Sequence, residues 1–338
     1  MALGRLVRRV VKDAIRKQGF EVVQRSRLYE WQQSEEPPPA TGGPTPYESL
    51  AYLQADNPRL LELQARYRAC NPAVTTPAVW TENYLTARDL SHFRSDNPYV
   101  FQLRGRNMNE LSYALTYYAS RRADRMQLFD RLDEDSQFGA CTFTIDDRLV
   151  SRDLLDSVTE LHFLERHLKL SSMASPVILD IGAGYGRLAH RAVAGLPNLA
   201  RYLCADAVAT STFICEHYLT FRGVADRARV VPLDEVAATV ASVRPHVALN
   251  IHSFSECRLE AVQWWTQLLR LNQVPYLMVV PNIVGPDGVT MLTNTRENLT
   301  DTITGNGYRL LAADPKYLDP IVQTYGINPV RHFLFGLS

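Results

Sequence analysis

Val177-Ile-Leu-Asp-Ile-Gly-Ala-Gly-Tyr-Gly-Arg-Leu-Ala-His190 decides how this chain is read. An apolar run reaches Asp180, passes through Gly182, Gly184 and Gly186, and continues into a helical pattern. That is a buried parallel strand turning sharply into a helix, with glycines where a ligand must approach backbone. Turns of this form place a nucleotide-like ligand at the carboxyl end of a sheet.

Working outward, strands and helices alternate from Pro176 onward. The apolar runs predict strands at 177–181, 201–206, 229–232, 246–251 and 276–281, with helices near 187–196, 210–222, 234–242 and 258–271. Short strands separated by helices of this length form parallel βαβ units on a doubly wound sheet. The ending differs. After a helix around 296–306, residues 308–313 and 331–337 read as sixth and seventh strands, and Pro315, Pro320 and Pro329 break the segment between them. Without a crossover helix, the final strand is expected to be antiparallel.

Upstream, Leu3, Leu6, Val7, Val10, Val11 and Ile15 recur at helical spacing against Arg5, Arg8, Arg9, Lys12 and Arg16. The pattern over 1–34 is a basic amphipathic helix without a secretory h-region. It fits packing on its own protein or on a second subunit, which is the expectation, or a peripheral membrane contact. A Pro/Gly linker follows at 35–46. Residues 47–170 are mainly helical and are expected to cap the sheet of 171–338. Leu60, Leu61, Leu63 and Tyr67 suit one helix face, and Leu111, Ala114, Leu115 and Tyr118 another. A short strand at 141–145 precedes a turn at Asp146-Asp147, and Ser151 is placed to cap a helix. Trp264 and Trp265 are expected in the core.

The 338 residues carry 36 basic and 36 acidic side chains, so no global field attracts nucleic acid. The five cysteines lack a CxxC pair, which suits reduced thiols in a cytoplasmic protein. No apolar run approaches the roughly 20 residues needed to span a bilayer. The Asn298-Leu-Thr300 sequon is therefore read as accidental. No cluster has metal-ligand spacing, and no metal is expected.

Gly182-Ala-Gly-Tyr-Gly186 is GxGxG rather than the GxGxxG of dinucleotide folds. Asp180 closes the strand, where a carboxylate organises the loop or meets a cationic amine. Asp206 ends the second strand, twenty positions beyond Gly186, where an acid accepts hydrogen bonds from ribose. In this order the chain resembles the class I S-adenosylmethionine-dependent methyltransferases, whose first motif 177–186 matches and whose sheet ends in an antiparallel seventh strand. Ile181-Gly-Ala-Gly-Tyr-Gly186, Tyr202-Leu-Cys-Ala-Asp206, Glu216-His-Tyr-Leu219 and Asn250-Ile-His-Ser-Phe-Ser-Glu256 further resemble a group of sugar O-methyltransferases found with glycan and natural-product pathways. The resemblance covers about 150–338. It implies a Rossmann-like seven-stranded α/β fold, S-adenosyl-L-methionine as cofactor, and Asp180, Gly182, Ala183, Gly184, Tyr185, Gly186, Asp206 and Asn250 as its contacts. An adenine-binding acid often follows the third strand in that class. Asp234 is available there, although it also reads as a helix cap.

Two catalytic candidates follow the fourth strand. His252, with an unperturbed pKa of about 6.5, is placed to take a proton from an attacking hydroxyl. Glu256 is placed to orient that imidazole or to bind a sugar hydroxyl. Trp80, Tyr84, His92, Tyr99, Arg104 and Arg106 are candidates for lining an acceptor cleft. The expected reaction is base-assisted, in-line methyl transfer to a hydroxyl of a sugar or glycosylated small molecule. An NAD-linked oxidoreductase and a non-catalytic cofactor- or sugar-binding protein are the alternatives.

Overall fold

The computed structural model describes residues 42–81, 84–282 and 290–338. The amphipathic helix expected over 1–34 and most of the expected linker at 35–46 fall outside these residues.

The strands of the main sheet are β1 (Val177–Ile181), β2 (Arg201–Ala205), β3 (Ala228–Val230), β4 (Val247–Ile251), β5 (Tyr276–Val280), β6 (Tyr308–Pro315) and β7 (Arg331–Leu337). All five residues of β1 are buried, as a central strand covered on both faces requires. The order is β3–β2–β1–β4–β5–β7–β6. Strands β1 to β5 pair in parallel, whereas β7 runs antiparallel to both β5 and β6. A separate hairpin pairs Phe143–Ile145 with Arg148–Val150. Asp146 and Asp147 turn it with positive φ, as the turn reading expected.

Among the described residues, helices of seven or more residues are α1 (Pro58–Arg68), α2 (Glu110–Ala123), α3 (Arg152–Leu168), α4 (Arg187–Gly195), α5 (Ala209–Phe221), α6 (Val236–Val243), α7 (Leu259–Leu271) and α8 (Leu299–Gly305). Alternation along β1 separates two cores. Val177, Leu179 and Ile181 join the cluster containing Leu60, Leu63 and Tyr67 of α1 and Val262, Trp265 and Leu269 of α7. Ile178 joins the opposite cluster with Leu154, Leu161 and Leu164 of α3 and Leu188 and Ala192 of α4. With a side-chain period of two, Asp180 shares the face of Ile178 and looks toward α3 and α4. Ser151 caps α3 by accepting from Leu154 N at 3.0 Å.

Two helix faces differ from the sequence expectation. In α2, Leu111 is 48% and Tyr118 51% exposed, whereas Tyr113, Thr116 and Tyr117 are buried. The tyrosine bodies fill the core while the Tyr113 hydroxyl donates to Gln102 O at 2.6 Å. A face of tyrosine and threonine reads as polar in sequence although its atoms are mostly carbon. In α1, Leu61 faces outward beside the buried Leu60 and Leu63. Between β6 and β7, Pro320 opens one short helix (Pro320–Tyr325) whose amino end Asp319 caps, a use of proline at the first helical position. No helix among the described residues is long and apolar enough to cross a membrane.

Candidate functional site

A cavity of about 820 Å³ runs along the carboxyl edge of the sheet, within the range of small-molecule sites. It extends from Asp206 beyond β2, past the β1–β4 pair, to Pro315 and Arg331 at the ends of β6 and β7. The β1–β4 pair is where the strand order reverses, the point at which open α/β sheets bind ligands.

The β1 turn enters this cavity. Gly182 has φ of 75°, and a Cβ there would stand 2.1 Å from Ser253 Oγ, so the strand cannot turn with a side chain in place. The backbone donors of the loop are largely engaged within the protein. Gly182 N and Ala183 N donate to Ala205 O at 2.8 and 3.2 Å. Gly184 N donates to Asp206 Oδ2 at 3.0 Å, and Gly186 N to Ala183 O at 2.9 Å. At these four positions the loop amides are bonded within the protein. The second-strand acid has taken one of them, which Asp206 does while its other oxygen accepts from Val208 N at 2.8 Å.

Asp180 and Asp206 both line the cavity. Burial pushes the Asp180 carboxyl up to about 7, against the opposing hydrogen bond from the Tyr202 hydroxyl at 2.7 Å and the charge of Arg187. Burial likewise raises Asp206 to about 6, against its bonds from Val208 and Gly184. Two such carboxylates, when ionised, put negative charge beside the glycine turn, with Arg187 as the nearby cation.

Ala183, Gly184 and Tyr185 also line the cavity. Tyr185 is buried, and its hydroxyl donates to Asp153 Oδ2 on α3. Two expected cofactor contacts lie elsewhere. Gly186 is absent from the cavity wall; a Cβ there would meet Cys215 Sγ at 2.9 Å and Leu219 at 3.2 Å, so that glycine serves helix packing. Asn250 is fully buried behind the wall. Its amide donates to Ile181 O at 2.9 Å and Ser253 Oγ at 2.6 Å, and its carbonyl accepts from Phe254 N at 2.8 Å. It ties β4 to the β1 turn. Asp234 is also away from the cavity, paired with Arg66 at 2.7 and 2.9 Å.

His252 and Glu256 both line the cavity, and neither behaves as an isolated residue. His252 adopts φ of 67°, a left-handed backbone unusual for a residue with a Cβ. Burial, with the Arg152 charge adding to it, holds its imidazole down at about 3. Its buried Nδ1 has no hydrogen-bond partner. The ordinary pKa assumed from sequence is therefore replaced by that of a neutral ring. Glu256 accepts from Trp80 Nε1 at 2.7 Å and Asn282 Nδ2 at 3.0 Å. Burial raises it despite those donors. Its partners are Trp80 and Asn282, so it does not orient His252.

From the helical region, Trp80, Tyr99, Arg104 and Arg106 line the cavity, whereas Tyr84 and His92 do not. Tyr84 instead packs edge-on against Trp80, with centroids 5.3 Å apart. Tyr99 lies over the glycine turn: a Cβ at Gly184 would sit 3.5 Å from its ring, and its hydroxyl is 3.3 Å from Ser211 Oγ. The sequence reading missed Arg152, Arg187, Asn282, Asn328 and Arg331, which line the same cavity. Of the two tryptophans, Trp265 is buried and also reaches the cavity wall.

The strand order decides the fold type. The sheet is of the class I methyltransferase kind. Neither a protein-family model nor a curated protein matches the sequence. Among solved structures, the chain is similar to magnesium protoporphyrin IX methyltransferase (ChlM) from Synechocystis, with 9% identity and a TM-score of 0.38 over 67% of this chain and 97% of that one. An S-adenosylmethionine-dependent methyltransferase from Clostridium acetobutylicum gives 7% identity and a TM-score of 0.37, covering 54% of this chain and 90% of its own. The pyocyanin biosynthetic protein PhzM gives 13% and 0.39, covering 55% and 57%. At these identities and scores the likeness carries no chemistry.

Proposed function

We propose that this protein is an S-adenosylmethionine-dependent O-methyltransferase acting on a hydroxyl of a sugar or glycosylated small molecule. The observation that carries the reading is a pair of carboxylates, the buried Asp180 and the partly buried Asp206, beside a glycine turn in which the amides of Gly182, Ala183, Gly184 and Gly186 are already bonded. A dinucleotide needs free amides for its pyrophosphate. This turn offers negative charge instead, which suits a ligand bearing an ammonium and a sulfonium. That contrast weighs against the NAD-linked alternative.

When bound, S-adenosylmethionine supplies a methyl group activated by its positive sulfur. Asp206 accepts hydrogen bonds from the ribose, Asp180 compensates the positive charge, and Tyr99 covers the nucleoside. Trp80 offers an aromatic face for a sugar ring. Glu256 takes the proton of the attacking hydroxyl, since burial has made it a stronger base than an ordinary carboxylate. His252, neutral with an open Nδ1, accepts a hydrogen bond that orients the acceptor.

The test is calorimetric titration with S-adenosylhomocysteine and, separately, NADH, followed by mass spectrometry of a sugar and glycoside panel for gain of one methyl group. Binding of NADH in preference to S-adenosylhomocysteine overturns the reading.

A further inference from the structure

The cavity lining carries charge of both signs, with Arg187 beside Asp180. At the β1–β2 end its lining acids are Asp180 and Asp206, with Glu256 nearby. From the 98–106 segment and the start of β7 the lining cations are Arg104, Arg106 and Arg331. Arg104 is committed: its Nε donates to Asp96 Oδ2 at 2.7 Å and its guanidinium lies 4.9 Å from the Phe101 ring centre. The other two have charge to spare. Arg331 is exposed and donates to a carbonyl, Ala313 O, at 2.7 Å. Arg106 is exposed, and among the described residues no hydrogen bond or ion pair engages its guanidinium.

The neighbouring acid cannot neutralise them. Asp156 receives Arg152 Nε at 3.1 Å and Lys316 Nζ at 2.5 Å, and these cations hold its carboxyl well below the usual range despite its burial. Asn328 N donates to Arg106 O at 3.2 Å, which brings the 98–106 segment against the turn leading into β7. Asn328 also lines the cavity, and among the described residues no hydrogen bond engages its side-chain amide. Arg106, Asn328 and Arg331 thus come from two segments joined at the Asn328–Arg106 backbone contact, and all three line the one cavity. A carboxylate presents two oxygens in a plane and suits a single fork. A phosphoryl group, with its oxygens spread tetrahedrally, can engage both arginines and the amide together.

Resting on the methyltransferase reading, we propose that Arg106, Asn328 and Arg331 bind a phosphoryl group of the methyl acceptor, which is therefore a sugar phosphate or a nucleoside-diphosphate sugar. The phosphoryl end is held at the β6–β7 side while the sugar extends toward Glu256 and His252. Because the arginines face solvent, this affinity weakens as salt is raised.

The test titrates the full chain with inorganic phosphate, inorganic pyrophosphate and uridine diphosphate glucose, with glucose as uncharged control, both with and without saturating S-adenosylhomocysteine. Phosphate-bearing probes should bind and glucose should not. Arg106→Gln and Arg331→Gln should each weaken them about tenfold, and the double variant about a hundredfold, with S-adenosylhomocysteine affinity unchanged. Arg309→Gln, at the far end of β6, should have no effect. Phosphate binding as tightly as pyrophosphate supports a monoester acceptor, and preference for pyrophosphate supports a nucleoside-diphosphate sugar. Absence of binding by all phosphate probes, or equal binding by the double variant, overturns the proposal. Failure to bind S-adenosylhomocysteine overturns the methyltransferase reading instead, and the titrations without it still decide the arginine site.

Discussion

The Tyr185 hydroxyl, projecting from the glycine turn, donates to Asp153 Oδ2 in the first turn of α3. Asp153 also receives Gln102 Nε2 at 3.0 Å and Arg94 Nε at 3.4 Å. Arg94 is fully buried and continues to Asp135 at 2.8 Å and to Glu134. A chain of buried polar contacts therefore joins the ligand turn to the region before α3.

Tyr185→Phe should keep the fold and loosen the turn. The expected outcome is a several-fold rise in KM for S-adenosylmethionine with kcat little changed, and about 1 kcal/mol of lost stability. Arg94→Met should be far more damaging, on the order of 3–5 kcal/mol, because Glu134 and Asp153 lose a buried counter-charge. Denaturant melts and initial-rate kinetics read both effects, and a Tyr185→Phe enzyme with unchanged KM would remove the link.

Cofactor binding should tighten as pH rises from 5 to 8. With Asp180 at about 7 and Asp206 at about 6, the empty site is partly protonated across this window. A cationic ligand favours the charged carboxylates and expels their protons. Calorimetry in buffers of different ionisation enthalpy should therefore report proton release near pH 6.5, and proton uptake would contradict it.

Stability of the ligand-free protein should run the other way. The folded pKa values of Asp180 and Asp206 lie above the unfolded value of about 3.9. Between those values the folded state holds more protons, so the contribution of these two acids is full below pH 4 and is lost as pH rises through 6 to 7. Asp180→Asn retains an acceptor for Tyr202 and removes the buried charge. It should raise Tm by a few degrees at pH 8, with little change at pH 5, while weakening S-adenosylmethionine at least tenfold.

Glu256→Gln should lower kcat by about 100-fold or more and remove the acid limb of the pH–rate profile, since the proton acceptor is gone. His252→Gln should chiefly raise KM for the acceptor and leave that limb in place. If His252→Gln instead removes the acid limb, the two roles are reversed.

The sheet was legible because each strand is a short apolar run and β1 is buried throughout, which leaves little else for 177–181 to be. Proline in the segment before 331 announced the antiparallel end. The tyrosine face of α2 was misread because hydroxyl groups mask aromatic bulk. Within the site, residue type and order found Asp180, Asp206, His252 and Glu256, all of which reach one cavity. What local sequence does not encode is which donors are already spent. Ala205 O takes two loop amides, and Asn250 spends its whole side chain on Ile181, Ser253 and Phe254. Pairings such as Trp80 with Glu256, 176 positions apart, depend on the closed fold. A signal for Arg331 did exist: an arginine opening the last strand must fall at the carboxyl edge once that strand is antiparallel.

Tyr99 and Arg106 belong to one short stretch, yet they stand at opposite ends of the cavity, one over Gly184 and the other beside Asn328. A single exchange of residues 98–106 between related proteins would therefore transplant contacts with both reactants at once. On the proposed reading, acceptor preference would change by small steps at Arg106, or on the separate turn carrying Asn328 and Arg331. Wholesale loop replacement would disturb the grip on the shared donor each time.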